Sequence, residues 1–269
     1  MNIELEKAKQ EFLKYTEQYD LENENIERKQ QHSLRVMEIS KEIATKLKLS
    51  KEEIDLAKLI GLLHDIARFE QYTHFQTFND LNSFDHGDYG VGILEKDIRK
   101  YIATNEYDEI IKKAIKNHNK FSIEEGLTEK EEIFAKIIRD ADKLDIFYEA
   151  VHMFWKGTEK EVEKTKISEK VLEQFKNHNL IKKDKKATRQ NVDKVISIIA
   201  FMYDINFKES FEMLKKEDYI NKMLDRFNFE DEETKEEIKD IRKIANKHIE
   251  DKIKGWRNVN RYNKSKTNI

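Results

Sequence analysis

The sequence predicts an all-α fold. Proline is absent from the 269 residues, glycine occurs only seven times, and apolar residues recur at spacings of three and four along most of the chain. Proline removes a backbone donor and glycine adds chain entropy, so a chain nearly free of both meets few interruptions to helix. Its length and 38% hydrophobic content can build a sizeable core, as one large domain or two smaller ones.

A mostly polar helix is expected over residues 3–19, and a second from near Glu27 to about Lys48. In the second, His32, Val36, Ile39, Ile43 and Leu47 follow one another at four, three, four and four and so share a face. His32 is therefore directed at the core. Ser50, with Glu53 three residues on, forms a capping-box signature for the next helix. That helix is apolar on every side from Leu56 to Ala67, the pattern of a central helix wrapped by others, and Gly61 within it would let a neighbouring backbone approach closely. One long irregular stretch is expected, Glu70 to Asp85, rich in aromatics and Asn; loops of that length commonly act as lids or binding loops. Further helices are expected at about 86–102, 107–120, 128–156, 168–178, 188–203, 207–226 and 231–254. This divides the chain into a helical domain, 1–156, and a helical C-terminal extension, 157–269, packed on it and ending in a disordered tail, "RYNKSKTNI". In the extension, Ile238, Ile241, Ala245, Ile249 and Lys252 form a stripe that either packs on the body or pairs with a second copy of the chain.

Charged residues make up 39% of the chain but nearly cancel, to a net charge of -3, so no global field favours nucleic acid or an anionic membrane. The absence of cysteine excludes disulfide and thiolate chemistry and limits metal ligands to His, Asp and Glu. The opening "MNIELEKAKQ" has no apolar core of signal-peptide length, and a cytoplasmic location is expected.

The stretch "LLHDIARF" places His64 and Asp65 side by side after a buried apolar run. A lone histidine on an apolar stripe is ordinarily a hydrogen-bonded core residue. Here His32, His64, His86 and His118 all fall on inward faces: His118 ends the series Ile111, Ile115, His118, and His86 opens a helix capped by Ser83 or Asp85. Burying several polar groups is costly unless they satisfy one another or bind a metal. Consecutive helix residues diverge by about 100°, so His64 and Asp65 can embrace a cation site from two sides, with one Asp65 oxygen for each of two ions. Imidazole plus carboxylate suits Mn, Fe, Co, Ni or Zn. Periodicity does not decide the closing carboxylate: Asp140 and Asp142 lie at similar angles to the apolar face of "AKIIRDADKLDIFYEA", and Asp145 lies closer to it.

The order His32, then His64-Asp65, then a distant Asp in "DADKLD" resembles the HD-domain superfamily of metal-dependent phosphohydrolases, from about residue 27 to 155. His86 in "DHGDYG" and His118 in "IKNHNK" match the two further histidines that many members carry. The resemblance implies an HD-domain helical bundle holding one or two divalent ions, among Mn, Fe, Co, Ni, Zn and Mg. It implies His32, His64, Asp65 and the last Asp as ligands to one ion, with His86 and His118 serving a second. Ala141-Asp142-Lys143 aligns with the family's closing motif, so Asp142 is taken as the final ligand, Asp140 is second choice, and Asp145 is a supporting partner or a cap. The activity implied is hydrolysis of a phosphomonoester or phosphodiester by a metal-activated water, with a nucleotide-like phosphorylated small molecule as substrate. Asp65, Arg68 and Lys143 are the catalytic candidates; Arg68, one turn beyond the HD pair on the same helix, would grip the phosphate with its planar fork. The alternative is a regulatory module that keeps the fold and metal but senses a ligand without turnover. The aromatics Tyr72, Phe75 and Phe78 either stack on a base or pin their loop. The basic run Lys182, Lys183, Lys185, Lys186 and Arg189 is read as a solvated face rather than a steering patch. No nucleic-acid or membrane partner is expected, and a homo-oligomer would form through the C-terminal helices.

Overall fold

The computed structural model describes residues 3–182 and 191–266, with side chains to residue 255. Of the basic run, Lys183, Lys185, Lys186 and Arg189 lie outside the described residues. The described residues contain helices and no strand, so the fold is all-α. The chain divides into two compact units, Met1–Asp145 and Ile146–Ile269.

The first unit holds α1 (Leu5–Thr16), α2 (Glu24–Lys46), α3 (Lys51–Leu63), α4 (Arg68–Phe75), α5 (His86–Tyr101) and α6 (Asp108–Asn117), and most of α7 (Glu129–His152). Asn23 caps α2 by accepting from the Asn25 N–H, which starts that helix at Glu24, earlier than expected. Ser50 and Glu53 form the capping box of α3, whose Leu56, Ala57, Leu59, Ile60, Leu62 and Leu63 are all buried. The tightest packing in the unit joins α2 and α3, and Gly61 makes it so. A Cβ there would lie 2.7 Å from Ser40 Oγ and 2.9 Å from both Met37 Cα and the Val36 carbonyl oxygen. The side of α2 facing it is His32, Ser33, Val36, Met37, Ser40, Ile43 and Ala44, all buried, with Ile39 and Leu47 at its half-buried edges.

Two expectations are corrected in this unit. The central helix does not run through the HD pair: α3 stops at Leu63, and residues 64–67 form a turn in which Ile66 N–H bonds the Leu63 carbonyl (3.1 Å) and Arg68 N–H the Asp65 carbonyl (2.9 Å). The His64 ring is the reason. Its Nδ1 takes the Gly61 carbonyl (2.8 Å), the acceptor that a continued α-helix would give to the Asp65 N–H. Arg68 consequently opens α4 instead of extending the helix of His64 and Asp65. The irregular stretch is also shorter than expected, because α4 continues to Phe75 and a 3-10 turn forms at Asp80–Asn82. Its aromatics pack on one another, Tyr72 against Phe78 with ring centroids 4.8 Å apart and Phe84 against Tyr89 at 4.2 Å.

The second unit contains α8 (Glu159–Glu163), α9 (Glu169–Lys176), α10 (Asn191–Ile199), α11 (Lys208–Glu217), α12 (Tyr219–Leu224) and α13 (Glu232–Lys266). The helix expected at 207–226 is broken into α11 and α12 by Asp218, whose φ of 54° is left-handed. Ile238, Ile241, Ala245 and Ile249 of α13 are buried and packed against α9, α11 and α12; the stripe continues to Ile253, because Lys252 is exposed. The bounds of α13 extend into the tail that was expected to be irregular, and residues 267–269 lie outside the described residues. Among the described residues, no helix is long and apolar enough to cross a membrane.

Candidate metal centre

The six residues singled out as metal ligands converge in the first unit. His32 comes from the middle of α2, His64 from the C-terminal cap of α3, and Asp65 from the turn that follows. His86 comes from the first turn of α5, His118 from the C-terminal cap of α6, and Asp142 from α7. Their donor atoms form two groups that share one carboxylate. In the first, His32 Nε2 lies 3.2 Å from His64 Nε2 and 3.2 Å from Asp142 Oδ1, and Asp65 Oδ2 lies 3.5 Å and 3.6 Å from the two imidazoles. In the second, His86 Nε2 and His118 Nε2 are 3.0 Å apart, and each is 3.4 Å from Asp65 Oδ1. Asp65 thus turns one oxygen to each group. Asp142 is the one member with appreciable exposure, 17% of its side chain, so the cluster reaches solvent on that side. Asp140 is buried.

Each imidazole is held by its other nitrogen. His64 Nδ1–H donates to the Gly61 carbonyl (2.8 Å) and His118 Nδ1–H to the Ile115 carbonyl (2.6 Å), each satisfying a carbonyl that a helix end leaves without an intrahelical partner. His32 Nδ1–H donates to Asp145 Oδ2 (2.6 Å), and Arg35 grips that carboxylate with Nε to Oδ1 (2.6 Å) and NH2 to Oδ2 (2.9 Å). His86 Nδ1–H donates to Asp80 Oδ2 (2.6 Å), and Gln71 and Asn119 donate to the same Asp80 carboxylate. Metal-binding histidines are characteristically anchored this way.

The anchoring decides between a polar core and a cation site. Carbonyl oxygens only accept, so in a neutral ring His64 and His118 carry their proton on Nδ1 and present bare lone pairs at Nε2. Burial pushes the His86 imidazole down to about 3, and its Nδ1 proton goes to Asp80. With both rings neutral, His86 Nε2, His118 Nε2 and Asp65 Oδ1 meet as three acceptors with no donor among them. A cation satisfies all three, and the residues present fit a divalent metal. In the first group the metal-free chain uses a proton instead. Burial and the Lys29 charge disfavour a charged His32, but Asp142, Asp145 and Asp65 outweigh them and push it up to about 10. Burial alone would raise Asp65, yet Lys29, His64 and Arg68 hold its carboxyl well below the usual range. His32 and His64 likewise hold Asp142 low against its burial.

The two basic candidates have protein partners of their own. Arg68 is near the cluster, its Nε 3.4 Å from Asp65 Oδ1, but its NH1 donates to Gln71 Oε1 (2.6 Å), the Phe78 carbonyl (2.7 Å) and Asp80 Oδ1 (3.0 Å). It braces the loop after α4 against the HD turn. Lys143 is buried, and its ammonium reaches back along α7 to the Arg139 carbonyl (3.3 Å).

Four residues of the site escaped the sequence reading. Lys29 and Arg35 stand three residues before and after His32, a spacing that places them on its side of α2. Arg139, 1% exposed, donates to the carbonyls of Asn117 and Lys120 (2.7 Å each) and Phe121 (3.4 Å) and so fixes the chain on both sides of His118. Asp80 lies where no periodicity points to it. No curated protein and no solved structure matches the chain. Residues 30–146, which carry all six candidate ligands, match the family model described as HD domain.

Proposed function

We propose that this chain is a metal-dependent phosphohydrolase acting on a phosphomonoester or phosphodiester of a nucleotide or nucleotide-derived molecule. The observation that carries the reading is the paired donor set: two groups of inward lone pairs joined by the two oxygens of Asp65. His32, His64, Asp65 and Asp142 would hold one divalent ion, and His86, His118 and Asp65 a second. Such ions, when bound, supply an activated water and polarise the phosphoryl group it attacks.

The chain's own residues do the rest. Asp145, Asp80 and the carbonyls of Gly61 and Ile115 fix each ring's tautomer and direction, so that the lone pairs converge before any ion arrives. Arg68 and Lys29 compensate the charge of Asp65 from opposite oxygens. The partly exposed side of the cluster, at Asp142, would give an anionic substrate its approach. A nucleotide is supported by the aromatic residues next to the site in sequence: Phe75, 48% exposed, touches Phe84 two residues before His86.

The test is metal analysis of the purified chain, followed by hydrolysis assays with added manganese on a panel of nucleotides, cyclic nucleotides, dinucleotides and non-nucleotide phosphate esters. Turnover that is lost on chelation and in Asp65→Ala supports the reading. Tight metal binding with no turnover across the panel would replace it with the ligand-sensing module, and turnover confined to non-nucleotide esters would remove the nucleotide.

A further inference from the structure

Resting on the phosphohydrolase reading, we propose that Lys29 is a substrate-binding residue, its ammonium holding a phosphoryl oxygen at the mouth of the site beside Asp65 Oδ2. Lys29 is 9% exposed and lies one turn before His32 on α2. Its Nζ donates to Asp65 Oδ2 at 2.7 Å, the same oxygen that faces His32 and His64. A buried ammonium has three N–H donors, and among the described residues this one has a single hydrogen-bond acceptor. The Phe78 ring lies 5.4 Å away and attracts the charge from one side, which leaves donor capacity unspent. Unspent donors on a buried cation are costly, and a phosphoryl oxygen meets that need.

The surrounding charges point the same way. Arg28 and Arg68 also lie over the Phe78 ring, at 5.6 Å and 5.7 Å from its centroid, so three cationic side chains gather at one ring beside the candidate ligands. Like charges repel, and an anion among them relieves the repulsion. With a divalent ion held by His32, His64 and Asp142, Oδ2 of Asp65 would serve two cations at once, and Lys29 would need more negative charge than that oxygen provides. Arg68 already spends its NH1 on Gln71, Asp80 and the Phe78 carbonyl. Lys29 has Asp65 Oδ2 as its one hydrogen-bond acceptor among the described residues and stands at the group to which the partly exposed Asp142 belongs.

The competing role is purely supportive: Lys29 would only neutralise and orient Asp65. Inorganic phosphate binding to the manganese-loaded full chain, measured by calorimetry beside the metal content and metal affinity, separates the two. K29M is expected to bind phosphate about ten- to a hundredfold more weakly at equal metal loading, as loss of a charge-assisted hydrogen bond should make it. K29R, which keeps the charge, is expected to retain most of the phosphate affinity. Should K29M fail to fold, K29Q, with a similar reach and no charge, takes its place in the same comparison. Phosphate affinity unchanged in the uncharged variant, or a loss that merely follows loss of metal, overturns the assignment. If the loaded parent chain binds phosphate and hydrolyses esters and K29M does both equally well, only the role of Lys29 falls. If the loaded parent does neither, the phosphohydrolase reading falls and takes this proposal with it.

Discussion

Replacing Gly61 by alanine tests whether the close approach of α2 and α3 builds the site. The new Cβ would sit 2.9 Å from Met37 Cα and from the Val36 carbonyl oxygen, both backbone atoms that cannot rotate aside, and 2.7 Å from Ser40 Oγ, which can. Reaching ordinary contact requires the helices to part by about half an ångström, and overpacking of this kind costs about 1–3 kcal/mol. Alanine returns about 1 kcal/mol through its better helix propensity. The steric term wins over all but the low end of its range, and a net loss of up to about 2 kcal/mol is expected in urea unfolding of the metal-free chain. The same movement separates His32 on α2 from His64 at the end of α3, whose Nε2 atoms are now 3.2 Å apart. A displacement of about half an ångström is at the limit within which a metal constellation must be held, so the affinity of the His32, His64 and Asp142 group should fall about tenfold, as measured by calorimetry. An alanine variant that unfolds at the same or higher urea concentration, with unchanged metal affinity, would refute this account of the helix pair.

Asp65→Ala should cost the chain both metal ions and Asp142→Ala only one, because Asp65 alone faces both donor groups; elemental analysis reads this directly, and two equivalents retained in Asp65→Ala would contradict the bridge. Arg139→Leu strands the carbonyls of Asn117, Lys120 and Phe121, and unfolding stability should drop on the order of 3 kcal/mol. A drop under about 1 kcal/mol would mean that water replaces the guanidinium. The pH dependence follows from His32. With its folded value raised to about 10, its charged form stabilises the metal-free fold fully below the ordinary histidine range and ceases to do so as pH rises toward 10. A metal needs that nitrogen bare, so loading near pH 7 should release close to one proton from His32. Calorimetry in buffers of different ionisation enthalpy detects it, and an absence of buffer dependence would show that His32 is already neutral.

The helical class and most of the residues that cluster were legible because each rests on local pattern. The missing proline, the capping box at Ser50 and the apolar surround of α3 need no knowledge of distant partners. The choice of Asp142 needed the family resemblance, since helical angle left Asp140 and Asp142 equivalent. What stayed hidden depends on contacts between remote segments: Asp145 is 113 residues from the His32 it orients, and Asp80 lies in a turn with no period. The expected placement of Arg68 on the helix of the HD pair was corrected for a related reason. It assumed a helix continuous through the HD pair, and the His64 ring breaks that continuity by taking the Gly61 carbonyl.

That break gives the HD dipeptide a physical meaning beyond its three candidate donor atoms. A helix end leaves carbonyls that need donors, while a metal needs lone pairs. A histidine at the C-terminal cap meets both needs with its two nitrogens, Nδ1–H turned back to the carbonyl three residues earlier and Nε2 turned outward. His64 does this at the end of α3 and His118 at the end of α6. The two remaining imidazoles lie within or at the start of helices, where no spare carbonyl is at hand, and both use a carboxylate instead: Asp145 for His32 and Asp80 for His86. Each of these pairs sits beside a carbonyl-anchored partner, so each donor group contains one ring fixed by a carboxylate and one fixed by a carbonyl. The two groups are thus alike in how their rings are held, and the difference between them is Asp142, which only the first group possesses.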